Sequence, residues 1–188
     1  DLQDEFVGIG MTQRRSNVGV RRGFTLVETG LAIIIVATAM LAMLAANESF
    51  TRQNDWGDQA AQGARLGGEI RERTMVISVA DPVTGTDTWG AESGEVALTD
   101  WDDMDDYDGL DVSGWAGTGP IDSAGQVIPD MDQWRQVVEV QSVDPTDLTT
   151  IVADGTSEAV RVKVDVYWLD QSDDPGELVT SVTWVHVQ

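Results

Sequence analysis

Hydrophobic positions divide the chain into three stretches of different pattern. From Thr29 to Asn47 there is no formal charge and no proline, and Leu31, Ile33, Ile34, Ile35, Val36, Met40, Leu41, Met43 and Leu44 make the segment apolar on every side. An uninterrupted run of 18 or more such residues, at about 1.5 Å per residue, predicts a helix long enough for a bilayer core. After Asn47 charges return, and an amphipathic continuation is predicted to about Val76. Gly57, Ala60, Ala61, Ala64, Gly67 and Gly68 follow helical spacing on one face, while Arg52, Asp55, Asp58, Arg65, Glu69, Arg71, Glu72 and Arg73 fill much of the remainder. Each glycine costs about 1 kcal/mol relative to alanine, so this half needs packing to persist, and Gly67-Gly68 is where it would fray.

All five prolines, from Pro82 to Pro175, follow Ala80, which marks the change from helix to sheet and loops. Gln136 to Val143, Ala159 to Leu169 and Leu178 to Val187 are rich in β-branched residues and read as strands. Met75 to Ala80 and Glu95 to Leu98 read as shorter ones. The loop Asp170 to Glu177 suits an antiparallel hairpin, and Arg161 and Lys163 fall on the outer face as cations for the acidic loops. The expected fold class is α+β, a long N-terminal helix packed on a small C-terminal antiparallel sheet with long acidic loops. Its expected divisions are a basic leader over 1–23, an apolar helix over 24–47, an amphipathic continuation over 48–77 and an acidic β-domain over 78–188.

One carboxylate breaks the apolar pattern. Glu28 lies near the head of the segment, where an ionised group costs roughly 2.5–3.5 kcal/mol on insertion scales, so it needs a partner or a job. If the chain is cut between Gly23 and Phe24, the new α-amine lies four residues before Glu28, and a neighbouring copy's amine could meet that carboxylate. Arg21-Arg22-Gly23-Phe24-Thr25-Leu26-Val27-Glu28 resembles the type IV prepilin signature, a basic leader ending in glycine, then Phe-Thr-Leu-x-Glu and an apolar helix. The resemblance covers about the first 50 residues. It implies cleavage after Gly23 by a prepilin peptidase, N-methylation of Phe24, and assembly with other pilin or pseudopilin subunits on an inner-membrane platform, with Glu28 setting register. The plain alternative is an ordinary signal anchor carrying a chance glutamate.

Charge supplies an orientation. The chain has 11 basic and 33 acidic residues, a formal net charge of −22. Arg14, Arg15, Arg21 and Arg22 precede the apolar run, and the body after it is strongly acidic, so the positive-inside rule predicts a cytoplasmic N-terminus and a body outside. The expected location is a single-pass inner-membrane protein, then a periplasmic or extracellular filament. Asp1 to Gly10 is acidic, and a start at Met11 would leave a compact basic leader. An acidic body repels nucleic acid, which is not an expected partner. Cysteine is absent, which removes disulfides and thiolate metal sites.

Seven carboxylates crowd into Asp100 to Asp111. Their repulsion disfavours a compact loop unless cations or solvent relieve it, and dense hard oxygen donors suit Ca²⁺. The candidate ligands are Asp102, Asp103, Asp105, Asp106 and Asp108. The run is not an EF-hand: with Gly109 at the sixth loop position, Met104 and Trp115 would stand at the first and twelfth. A solvated acidic loop is the expected alternative. Asp102, Asp103, Asp105, Asp106, Tyr107 and Gly109 also resemble an Asp-Asp-x-Asp-Asp-Tyr-x-Gly segment of D-type minor pilins of mannose-sensitive haemagglutinin pili, with looser likeness at Trp134-Arg135, Val143 to Pro145 and the final hairpin. This implies a minor subunit. Trp89, Trp101, Trp115 and Trp134 read as loop anchors on the sheet, the alternative being a glycan- or partner-binding surface.

No phosphate loop, dinucleotide fingerprint or nucleophile elbow is present, and His186 lacks a cysteine or second histidine. The chain is therefore not expected to be an enzyme, and the two resemblances imply a minor pilin or pseudopilin of a type IV pilus or type II secretion pseudopilus. The rival is a membrane-anchored extracytoplasmic module that binds calcium, glycan or protein without polymerising.

Overall fold

A computed structural model describes residues 23–83, 85 and 88–187. The basic leader up to Arg22 and the candidate start at Met11 lie outside the described residues. The chain falls into two units, Asp1–Ser49 and Phe50–Gln188, and one helix, α1 (Leu26–Thr74), contributes to both.

In the first unit α1 starts at a reciprocal cap. The Glu28 N–H donates to Thr25 Oγ1 at 3.2 Å, and the Thr25 N–H reaches Glu28 Oε2 at 3.5 Å. This is the Thr-x-x-Glu capping box, which satisfies two N–H groups that the helix cannot. Beyond it, the hydroxyls between Thr25 and Asn47 turn inward. Thr29 Oγ1 donates to the Thr25 carbonyl at 3.2 Å, and Thr38 Oγ1 to the carbonyls of Ile34 and Ile35 at 3.0 and 2.9 Å. Side chains satisfied this way present no polar atom in need of water. The most apolar 18-residue window has mean hydropathy 2.3 and none of it is buried, so this helix is long and apolar enough to cross a membrane.

In the second unit the helix continues through Gly67-Gly68 without a break and ends at Thr74, two residues short of the expected Val76. The Thr74 hydroxyl bonds back to the Ile70 and Arg71 carbonyls, and Arg71 and Arg73 place positive charge at the negative end of the helix dipole. Five antiparallel strands follow: β1 (Asp111–Ser113), β2 (Trp134–Asp144), β3 (Asp147–Ile151), β4 (Ala159–Trp168) and β5 (Glu177–Val187). Their order is β1-β2-β4-β5, with β3 folded back on the end of β2. The fold is α+β, as the sequence implied.

Alternation explains the core. Val160, Val162, Val164 and Val166 of β4 are buried beside Val138 and Val140 of β2, and Leu66 and Ile70 of α1 belong to the same cluster. Arg161 and Lys163 occupy the outer face, but they do not serve the acidic loops. Lys163 pairs with Asp165 at 2.7 Å on its own strand, and Arg161 donates to Gln141 and the Leu148 carbonyl. Two other cations do reach loop residues, Arg73 on the Leu98 carbonyl and Arg135 on the Pro175 carbonyl, and Arg135 also holds Asp111 of β1 with two hydrogen bonds of 2.7 and 2.5 Å. That pairing draws the Asp111 carboxyl below its usual range.

The packed helix face differs from the predicted small-residue face. Gly63, Leu66, Gly67, Ile70 and Thr74 are buried, and only Gly67 belongs to the predicted set. A Cβ on Gly67 would stand 2.6 Å from Val182 Cγ2, and one on Gly63 would stand 2.9 Å from Val179 Cγ1, so β5 approaches here because side chains are missing. Gly68 has nothing within 4 Å. Gly67→Ala should therefore lower stability by about 1–3 kcal/mol through overpacking. Gly68→Ala should raise it by roughly 0.5–1 kcal/mol through helix propensity. Thermal unfolding of the detergent-solubilised chain reads both, and equal shifts for the two would refute this packing.

Met75 to Ala80 and Glu95 to Leu98 are not strands. The first holds a single bridge, Ser78 to Asp103, with the Met104 N–H on the Ser78 carbonyl at 2.9 Å. The ladder stops there because the next residues wind into a 3-10 turn, Asp105–Tyr107. Trp134 is not a loop anchor either. It is buried in β2, edge-on to its cross-strand partner Trp168 at 5.1 Å, whereas Trp115 stays 45% exposed.

Gln136 is the polar exception inside the sheet. It is fully buried; its amide donates to the carbonyls of Leu66 and Ile121, and its carbonyl oxygen accepts the Ile121 N–H at 2.8 Å. One side chain thus ties helix, loop and sheet together. Gln136→Leu should cost about 1–3 kcal/mol by stranding the Ile121 N–H. Denaturant titration would show it, and unchanged stability would contradict the clamp.

Candidate functional site

Two constellations stand out, one in each unit. At the head of α1, Gly23 precedes the first helical residue, and a Cβ on it would meet nothing within 4 Å. Phe24 is 80% exposed and Leu26 91% exposed. Gly23, Phe24 and Glu28 thus occupy an uncovered end of the helix, with the Gly23–Phe24 bond in non-helical backbone ahead of the cap. Glu28 has a local function that spacing alone left open: it caps its own helix. That contact uses Oε2 at the long limit of a hydrogen bond and leaves the carboxylate exposed.

The second constellation is acidic and lies in the other unit. The expected solvated loop is not what forms. Asp103, Asp105 and Asp106 are 2%, 4% and 3% exposed, and Tyr107 is fully buried. Tyr107 is fixed by Arg73, whose Nε donates to the phenol oxygen and whose second guanidinium nitrogen donates to the Leu98 carbonyl at 2.6 Å. Trp101 packs edge-on to Tyr107 with ring centres 4.9 Å apart. This aromatic and guanidinium plug pulls the neighbouring carboxylates inward.

Those carboxylates then divide. Asp108 turns to the sheet, its Oδ1 accepting the Val140 N–H at 2.9 Å and its Oδ2 the Trp89 indole N–H at 3.4 Å. Asp105 accepts the Gly90 N–H at 3.0 Å and lies in hydrogen-bond contact with Asp103. Asp102, Asp103 and Asp106 instead meet three residues from earlier in the chain. Asp81, Glu92 and Asp103 form one triad of oxygens, Asp81, Glu95 and Asp102 a second, and Glu92, Glu95 and Asp106 a third, each with its atoms within 4.8 Å of one another. Each earlier residue belongs to two triads. Of the five ligands proposed from the sequence, three are therefore brought together and Asp105 and Asp108 are engaged elsewhere.

Burial governs the electrostatics. It raises the carboxyl pKa of Asp103, Asp105 and Asp106, and Asp103 is pushed up to about 8, with its contact to Asp105 and the charges of Asp105 and Asp106 adding to the effect. Burial likewise raises the Tyr107 phenol, against the opposing pull of Arg73. Ionised carboxylates taken from water in such numbers call for protons or cations between them.

Trp115, read from the sequence as an anchor or a binding surface, stands over an open cavity of about 440 Å³ with Asp111, Arg135, Asp173 and Asp174 in its lining. His186 lies in β5 opposite Val160, away from any partner that would make it a metal ligand among the described residues. Comparison with protein-family models, curated proteins and solved structures finds no match for this chain.

Proposed function

We propose that this chain is a minor pilin or pseudopilin, a non-enzymatic subunit cut after Gly23 by a prepilin peptidase, methylated at Phe24 and assembled through α1 into a type IV pilus or secretion pseudopilus. The observation that carries it is the first unit itself. An apolar helix has Leu31, Ile33, Ile34, Ile35, Leu41 and Leu44 all more than half exposed, and it is headed by a glycine, an uncovered phenylalanine and one carboxylate. Surface of this extent is covered either by lipid or by other helices of the same kind. The leader and helix hold the precursor in the inner membrane, and cleavage frees an amine. Glu28 of one copy then meets the Phe24 amine of a neighbour as the helix leaves lipid for an equally apolar filament core.

Shearing surface filaments from cells, or isolating the pseudopilus where no surface filament exists, tests the assignment. The processed chain is expected in that fraction together with other pilin-like subunits. Its confinement to the membrane fraction would instead support the anchored binding module.

A further inference from the structure

The carboxylate cluster of the second unit has a composition that the filament reading neither requires nor explains. Its members come from the turn after α1 (Asp81), from Glu92 and Glu95, and from the acidic run (Asp102, Asp103, Asp106). Interlocking triads place six carboxylates in one small volume. Crowding alone does not identify a ligand, and the orientation of Asp106 supplies the second observation. That residue is 3% exposed, and its Oδ2 is fixed by the N–H groups of Asp102 at 3.0 Å and Asp103 at 3.3 Å. Its Oδ1 is buried and has no hydrogen-bond donor. A buried carboxylate fixed through Oδ2, with its Oδ1 unpaired and one of its oxygens within 4.8 Å of oxygens of Glu92 and Glu95, has the arrangement of a cation ligand.

We propose that Asp81, Glu92, Glu95, Asp102, Asp103 and Asp106 bind calcium. The donors are all carboxylate oxygens, which excludes a preference for zinc or copper. Shared carboxylates drawn from three stretches of loop suit the six to eight ligands and adaptable geometry of Ca²⁺ better than the strict octahedron of Mg²⁺. The cation has a mechanical role. Residues 88–104 contain no strand of their own; the Asp103 bridge to Ser78 joins them to the segment after α1, and Trp89 and Gly90 donate to Asp108 and Asp105. A divalent ion joining Asp81 to Glu92, Glu95 and the acidic run fixes that segment against the end of α1.

The inference is independent of filament assembly, and its test does not involve filaments. The full chain, solubilised in detergent and stripped with a chelator, is titrated with CaCl₂ by calorimetry, with MgCl₂ as the comparison. Binding with a Kd of about 10⁻⁵ to 10⁻³ M and a rising melting temperature are expected. TbCl₃ should give luminescence sensitised by the nearby Trp101, displaced by CaCl₂. Asp106→Asn should weaken calcium binding at least about tenfold. Should Asp106→Asn not fold, Asp102→Asn, at an exposed member of the set, and Glu95→Gln carry the same expectation. Asp173→Asn, in the separate acidic loop before β5, should change nothing. No heat at millimolar CaCl₂, equal binding of magnesium, or losses as large from Asp173→Asn as from Asp102→Asn would overturn the assignment.

Discussion

Glu28→Gln is expected to leave cleavage after Gly23 intact and to empty the filament fraction of this chain. The substitution separates the observed cap from the proposed pairing of Glu28 with a neighbour's amine. As the fourth residue of the capping box, glutamine serves nearly as well as glutamate, so α1 should keep its N-terminal turn. As an anion facing a neighbour's amine in an apolar core, glutamine cannot substitute. Removing one partner of a buried charge pair costs about 3–5 kcal/mol, which is more than a hundredfold in an assembly equilibrium. Glu28→Ala loses both functions, but the cap adds only about 0.5–2 kcal/mol. Immunoblots of membrane and sheared fractions read the result. Normal filament content for Glu28→Gln beside a loss for Glu28→Ala would mean that Glu28 is a helix cap and nothing more.

Gly114→Ala should be the most damaging small substitution in the second unit. Its backbone φ is ordinary, so the need for glycine is one of space. A Cβ there would lie 2.1 Å from the Met131 carbonyl oxygen and 2.5 Å from Asp132 Cα, while the Gly114 N–H donates to the Trp134 carbonyl at 2.9 Å. The chain entering β2 crosses directly over the exit of β1. Backbone cannot rotate aside as a side chain can, so β1 would have to separate from β2, losing Val112 and the Asp111–Arg135 pair from the sheet edge. A loss of about 3 kcal/mol or more is expected, seen as a fall in melting temperature of several degrees. Gly117→Ala in the same turn has open space, carries only the strain of its positive φ, and should cost less. Equal effects would show that crowding is not the reason for Gly114.

The elements that were legible in the sequence are those whose pattern is local. The apolar run needs only its own composition to announce a helix, and β4 alternates valine with polar residues along most of its length. Strand β1 has three residues, with Val112 its one buried position and too few for an alternation to show, and the five residues of β3 are all exposed. Small residues alone do not mark the packed helix face, which Leu66, Ile70 and Thr74 share. Gly63 and Gly67 lie beneath β5, while Gly57 and Gly68 touch nothing.

The acidic site divided in the same way. Asp102, Asp103 and Asp106 are conspicuous as a run, but Asp81, Glu92 and Glu95 have ordinary loop spacing, and only the tertiary return of the chain makes them neighbours. The inward pull of Tyr107 and Arg73, separated by 34 positions, is likewise invisible to any local pattern. The cap at Thr25 and Glu28 is local, with Thr and Glu at capping-box spacing at the head of the apolar run.

The leading edge of α1 is the basis of the functional account, and its chemistry can be read directly. Mass spectrometry of the N-terminal peptide, taken from protein recovered outside the cytoplasm, is the most direct measurement. The account predicts a chain that begins at Phe24 and is one methyl group heavier than the encoded peptide. A peptide that still contains Gly23, or one that begins elsewhere, would contradict it.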